Sequence, residues 1–311
     1  MLGVEAQTLT VWRQADHYHI PRIVYLNKMD KNSADFSASI QSVSEKLSTV
    51  PLVIHLPIGV GSQFTGIVDV ITMTKYLWNR KDPDDDGKEY YTQQLERSKD
   101  AVLYDEAAAA RARLIERLVD VDVAFGDEFL AHDDAMSISP TAVTAALHRA
   151  VLSQQAVAVL CGSSLHNCGV QLLMDAVVQF LPDPVELSTQ AYPFVKHYGN
   201  SLCALAFKTV HDHQQGALTF LRLYSGSLEA GSLVYNVSRE CNEHCNKLYQ
   251  VFADEHREIA LVTAGNIAAV SGFKEVSYIS MSFLYTVSVI RFWIGYSHLY
   301  LYYVMPICCL V

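Results

Sequence analysis

Two short apolar runs constrain this chain more than any other feature. Ile23-Val24-Tyr25-Leu26 and Val157-Ala158-Val159-Leu160 are apolar at every position and rich in β-branched side chains. A strand with one wet face alternates polar and apolar residues. A continuously apolar strand is covered on both faces, as parallel strands flanked by helices are. The flanking segments agree. Residues 5–19 carry apolar positions at helical spacing (Ala6, Leu9, Val11, Trp12, Ala15), closed by His19-Ile20-Pro21. Helical patterns recur at 33–48, 97–121, 140–154 and 169–181, the last stopped by Pro182 and Pro184. Residues 51–58 and 64–73 predict strands, and the acidic stretch 79–89 an exposed loop. The first half is therefore expected to be an α/β unit. From residue 201 the pattern changes. Segments 202–210, 217–224, 232–238, 247–252 and 265–271 are short, alternating and separated by Gly, Asn or Asp, which predicts a small antiparallel β-barrel.

Composition narrows the function classes. Half of the 311 residues are apolar, which excludes simple disorder, and the net charge of −10 argues against a general nucleic-acid coat. Seven cysteines without a regular spacing point to a reducing compartment. The first residues show neither a basic start with an apolar core nor an Arg/Ser-rich amphipathic stretch, so no targeting segment is expected within these residues. Residues 277–311 stand apart: no acid, one arginine (Arg291), one histidine (His298) and nine aromatics. Residues 278–290 have strand propensity. From Phe292 to Val311 there is no formal charge over a length that could span a bilayer, although His298, the tyrosines and Pro306 weaken a membrane reading.

The chemistry lies just beyond the two apolar runs. Asn27-Lys28-Met29-Asp30 follows the first, at the C-terminal end of a predicted parallel strand, where open α/β sheets bind ligands. The Asp30 carboxylate can accept from guanine N1–H and the 2-amino group as a charge-assisted pair. Adenine has neither donor and would leave the carboxylate desolvated and unpaired, at a cost of roughly 2–5 kcal/mol. Asn27 can meet the N7/O6 edge, and the Lys28 stem can lie along the base. A helix-capping Asn or Asp in an ordinary turn is the alternative for the tetrapeptide alone. The second run ends in Cys161-Gly162-Ser163-Ser164-Leu165, whose backbone N–H groups can donate to O6, a position at which adenine's amino group is repelled. Two base-reading turns on two strands of one sheet make a guanine site the stronger reading.

These residues carry a resemblance. Gly3-Val4-Glu5-Ala6-Gln7-Thr8, Val11-Trp12-Arg13-Gln14-Ala15-Asp16, Ile20-Pro21-Arg22-Ile23 and Asn27-Lys28-Met29-Asp30 resemble the elongation factor G family of translational GTPases. So does the long separation between Asp30 and Ser163, which fits that family's extra subdomain. Phe207-Lys208, Arg222-Leu223-Tyr224-Ser225-Gly226 and Ala264-Gly265-Asn266-Ile267-Ala268-Ala269-Val270 resemble its second, barrel domain. The Glu5-to-Thr10 wording and Leu202-to-Lys208 are most similar to the family's mitochondrial ribosome-releasing branch. The likeness covers about 3–276.

The resemblance implies an incomplete P-loop-type GTP-binding domain over 1–187 with an inserted α+β subdomain at about 57–145. It further implies a linker over 188–200, an incomplete barrel over 201–276, and a non-family apolar tail over 277–311. It implies GTP or GDP held through guanine contacts from Asn27, Lys28, Asp30, Ser163, Ser164 and Leu165. It implies ribosomal partners, small-subunit RNA and protein meeting the barrel, in a mitochondrion, with GTP driving ribosome disassembly. Phosphate binding needs a Gly-rich loop with Lys and Ser/Thr, and Mg²⁺ needs further ligands. No Gly-x4-Gly-Lys-Ser/Thr and no Asp-x-x-Gly-His segment occurs in these residues. The family places both upstream of the position where Met1 stands. These residues alone are therefore expected not to hydrolyse GTP, and the α/β part is expected to be marginal for want of a strand beside the first run. The alternatives are a non-enzymatic ribosome-binding fragment and a non-functional product.

Other motifs are weaker. Asp82-x-Asp84-x-Asp86-Gly87 imitates an EF-hand start, but the twelfth position is Gln93. Cys241, His244 and Cys245, with His211 and His213, are metal-ligand types without a second matching pair, and barrel-surface residues are the preferred reading. Gly59-x-Gly61 lacks the partner motifs of a nucleotide loop.

Overall fold

The two apolar runs pair with each other. A computed structural model describes residues 3–79, 86–130, 135–186, 199–212, 214–237, 239–253, 255–274, 282–286 and 307–310. The chain divides into two units, 1–182 with 302–311, and 183–301.

In the first unit α1 (Ala6–His17) leads into β1 (Arg22–Leu26), then α2 (Phe36–Leu47) and β2 (Val50–Val53). An antiparallel sheet of β3 (His55–Ile58), β4 (Gly66–Asp69), β5 (Thr74–Leu77) and β6 (Tyr91–Gln94) follows. The helices α3 (Ala101–Val121), α4 (Val123–Phe129) and α5 (Pro140–Leu152) return the chain to β7 (Ala156–Cys161), and α6 (Val170–Phe180) closes the unit. β7 lies between β1 and β2, parallel to both. Both faces of this sheet are covered. Ile23, Tyr25, Ala158 and Leu160 pack with α3, α5 and α6, while Val24, Leu26, Val157 and Val159 pack with α1 and α2. That is why neither strand shows a polar alternation. The other edge of β1 is paired in parallel by Ile307–Leu310, so the edge expected to lack a neighbour has one, drawn from the stretch set apart by composition.

Local chemistry sets the element ends. Asp35 caps α2 through the Ala38 amide, Asp122 caps α4 through the amides of Ala124 and Phe125, and Ser139 caps α5 ahead of Pro140. The stretch 51–58 is not one strand. At Ile54 the amide donates to Val159 O and the carbonyl accepts from Val70 N, so the chain changes sheets there. Likewise 64–73 holds only β4. The Asp69 carboxylate accepts from Ile71 N and Thr72 Oγ1, which turns the chain into β5. Buried Arg111 of α3 donates to the carbonyls of Val70, Ile71 and Ile138, tying this turn to the helices.

The second unit is antiparallel. It runs through β8 (Cys203–Asp212), β9 (Gly216–Ser225), β10 (Ser227–Glu229), β11 (Leu233–Asn236), β12 (Cys241–His244), β13 (Lys247–Phe252), β14 (Glu255–Ile259), β15 (Leu261–Thr263), β16 (Ile267–Ser271) and β17 (Ser282–Thr286). The larger sheet has the order β12-β11-β17-β8-β9-β16-β13-β14, and β10 pairs with β15. In a flat sheet β11 and β13 would stand about 24 Å apart. Val234 of β11 and Leu248 of β13 instead share one buried core with Ala204, Leu221 and Ala268, so the sheet curls around it. β17, from the strand-prone residues 278–290, pairs with β8 and β11. Among the described residues no helix is long and apolar enough to cross a membrane. Residues 287–306 and 80–85, the latter part of the stretch expected to be an exposed loop, lie outside the described residues.

His55 opens β3 directly opposite Asp69 and is buried, with Nδ1 lacking a hydrogen-bond partner. Burial lowers its pKa to about 4, against the opposing pull of Asp69. An unfolded imidazole titrates near 6.5. Its contribution to stability is thus complete above pH 6.5 and is lost as pH falls towards 4, by roughly 1.4 kcal/mol per pH unit. In urea unfolding followed by tryptophan fluorescence, His55→Leu should flatten the midpoint's decline between pH 6.5 and 4. An unchanged slope would contradict this assignment.

Candidate functional site

The parallel register of β1 and β7 carries over into the two turns that follow them. Leu26 pairs with Cys161, and one residue on Gly162 N donates to Leu26 O while Met29 N donates to Gly162 O. Gly162 is required by space. A Cβ there would lie 2.1 Å from the Tyr25 hydroxyl and 2.4 Å from Cys168 O. That hydroxyl itself donates to Cys168 O, closing the turn under the strand end.

All six residues singled out in the sequence fall on these turns. The Ser163 hydroxyl, buried, donates to Asp30 Oδ1 at 2.6 Å. The amide of Ser164 donates to Asn27 Oδ1 at 2.9 Å, and Lys28 N donates to the same oxygen at 2.7 Å. Lys28 is exposed, with a left-handed φ of 64°, and Leu165 is exposed on a 3-10 turn at Ser164–His166. The structure thus brings together Asn27, Asp30, Ser163 and Ser164 by direct bonds, and places Lys28 and Leu165 beside them.

The geometry alters one expectation. The turn does not offer all its amides to a ligand. Ser163 N donates to Cys168 O, Ser164 N to Asn27, and His166 N to Ser163 O. With Asn27 Oδ1 occupied twice, the end of that carboxamide left for a base is the Nδ2 donor, which suits the two acceptors of an N7/O6 edge.

Asp30 is the electrostatic centre. Its side chain is only 4% exposed. Burial alone raises its pKa, but the Ser163 hydroxyl, a backbone amide, Lys31 and His166 together outweigh that and hold the carboxyl below its ordinary range. Lys31 Nζ stands 3.7 Å and His166 Nε2 3.8 Å from Oδ2. Neither was singled out in the sequence. His166 was legible only as a titratable residue in the same turn as Ser163. Two further supports, Met29 O accepting from Gly61 N and Asn32 Oδ1 accepting from Ser62 N, come from beyond β3 and leave no local sequence signal.

The other candidates stay apart. Cys245 is buried and its thiol is pushed up to about 11 by burial, while Cys241 is half-buried. Among the described residues no group of three or more His, Cys, Asp or Glu is placed to hold a metal ion. His213, like Asp82 and Asp84, lies outside the described residues.

Comparisons with known proteins follow the same division. The profile of the elongation factor Tu GTP binding domain matches residues 1–183, and that of elongation factor G domain 2 matches 201–284. The second match runs past 276, the limit of the likeness seen in the sequence, and takes in part of β17. Ribosome-releasing factor 2, mitochondrial, of Rattus norvegicus is 48% identical over 277 residues, covering 88% of this chain and 35% of that protein. Elongation factor G 2 of Syntrophomonas wolfei is 39% identical over 287 residues, covering 88% and 39%. The chain thus spans little more than a third of these relatives. A solved structure from Thermus thermophilus superposes with a TM-score of 0.71 at 22% identity over 91% of this chain and 39% of that one, a likeness of fold.

The Asp30–Ser163 bond can be tested without any ligand. Ser163→Ala removes the largest favourable influence on the carboxylate and leaves burial in place. In a carboxyl ¹³C NMR titration Asp30 should then protonate at a higher pH than in the unmodified chain. An unchanged titration would contradict the bond.

Proposed function

This chain belongs to the elongation factor G family of translational GTPases, and from that premise we propose that its α/β unit reads guanine while its β unit meets the ribosome. The observation that carries the reading is the bond between Ser163 and Asp30, which fixes a carboxylate beside a turn of backbone amides. In this reading Asp30 accepts from guanine N1–H and the 2-amino group. Asn27 Nδ2 donates to the N7/O6 edge, and Leu165 N–H, in the first turn of its 3-10 segment, donates to O6. The Lys28 stem lies along the base. Adenine would present an amino group to the Leu165 amide and no donor to Asp30, so it is rejected twice.

The names of the relatives extend the proposal. We assign the whole protein to GTP-dependent ribosome disassembly in the mitochondrion, with the β unit contacting the small subunit. These 311 residues supply the base contacts only. They contain no Gly-x4-Gly-Lys-Ser/Thr to cradle phosphates, and the base contacts involve no Mg²⁺. Family members use Mg²⁺ to neutralise phosphate charge, a contribution that lies outside these contacts. As a polypeptide of this length the chain binds guanine nucleotide and does not hydrolyse it.

Calorimetry should find weak GDP binding that Mg²⁺ hardly changes, a preference over ADP, and loss of that preference in Asp30→Ala. Ribosomes should stimulate no phosphate release. Micromolar or tighter, Mg²⁺-dependent affinity would overturn the division of labour proposed here. Equal binding of GDP and ADP by the unmodified chain would overturn the guanine reading itself.

A further inference from the structure

The guanine contacts account for the turn at 163–168 but not for what lies behind it. Residues 86–88, in the connection between β5 and β6 of the antiparallel sheet, press on that turn. Gly87 has a φ of 72°, the left-handed region that favours glycine, and a Cβ there would fall 1.8 Å from His166 O. No ordinary relaxation absorbs so close an approach to backbone. The same glycine is a junction. Its carbonyl accepts from Trp78 Nε1 at 3.1 Å, next to the end of β5, and from Gln171 Nε2 at 2.8 Å in the first turn of α6. Gln171 Nε2 also donates to Lys88 O at 3.1 Å, and Asn167 Nδ2 donates to Asp86 O at 2.7 Å. Because both partners of Gln171 Nε2 are acceptors, the orientation of that amide is settled. None of these bonds touches Asn27 or Asp30.

We infer that residues 86–88 latch the inserted subdomain onto the base-reading turn, with Gly87 and Gln171 as positioning residues. The latch rests on the guanine reading for its functional consequence, though not for its structural one. It holds the half of the site that meets O6, since Ser164 and Leu165 sit on the latched turn. Asp30, which meets N1 and the 2-amino group, bonds to Ser163 at the strand end of the turn, where Gly162 is tied to Leu26 and Met29, and has Lys31 beside it, so its hold comes mainly from the β1 side. Movement of the inserted subdomain therefore reaches the nucleotide through O6 recognition.

Hydrogen exchange on the full chain, without nucleotide, tests the structural half. In Gly87→Ala and Gln171→Ala, peptides covering 162–169 should exchange about tenfold faster while the β1 and β7 peptides keep their protection. Unchanged protection of the turn in Gln171→Ala, the milder variant, would overturn the latch. Competition with GDP, 6-thio-GDP and IDP tests the functional half. The first analogue weakens the O6 acceptor, and the second lacks the 2-amino group. In the variants the GDP-over-6-thio-GDP ratio should fall towards one while the GDP-over-IDP ratio is retained. Both ratios falling together would mean general loosening and would overturn the latch. An Asp30→Ala chain that keeps its GDP-over-IDP ratio would instead sink the guanine reading and leave the exchange result standing.

Discussion

The structure of the first unit depends on the parallel pairing of β1 with β7. Because Ile23 sits opposite Ala158 and Leu26 opposite Cys161, the two turns emerge side by side at the same end of the sheet. A slip of one residue would exchange the two faces, driving Ile23 and Tyr25 away from α3, α5 and α6. It would also part Asp30 from Ser163 and Asn27 from Ser164. The apolar packing on both faces therefore fixes the polar geometry at the strand ends. A charge-assisted bond such as that from Ser163 to Asp30 contributes about 1.5–3 kcal/mol, small beside the burial that sets its register.

Much of the first unit was legible because its signals are local. Continuous apolar runs marked both central strands, helical spacing marked α1, α2, α3, α5 and α6, and proline marked the end of α6. What was not legible depends on distant partners. Nothing near Ile54 announces that its amide belongs to one sheet and its carbonyl to another. The short strands β6, β10, β12, β14 and β15 carry three to five residues each, too few for periodicity to register, and α4 is announced only by Asp122 at its start. The pairing of Ile307–Leu310 with β1 joins residues nearly a whole chain apart, which no periodicity encodes.

The candidate site divides in the same way. Asn27, Asp30, Ser163 and Ser164 could be named from the sequence because their residue types directly follow strands. Their mutual bonds could not, since these depend on register. Lys31 is the neighbour of Asp30 in the chain, whereas His166 and Gly61 reach the Asp30 segment through approaches that become visible only in three dimensions. Gly87 is the sharpest case. In the sequence it ends an acidic run that imitates a calcium loop, whereas in the fold it is the one residue that can pass beneath the His166 carbonyl. The role of a glycine is set by what must come close to it, and here that neighbour is 79 positions away in the chain.

The central claim is that Asp30 reads the 2-position of a guanine base. Replacing it by asparagine changes an acceptor pair into one acceptor and one donor while keeping the shape of the side chain. Xanthine differs from guanine in presenting a 2-oxo acceptor where guanine has its amino donor. Competition between GDP and xanthosine diphosphate for the Asp30→Asn chain is therefore the most direct measurement. The account predicts that the preference for GDP inverts in favour of xanthosine diphosphate. An Asp30→Asn chain that prefers GDP as strongly as the unmodified chain would contradict it.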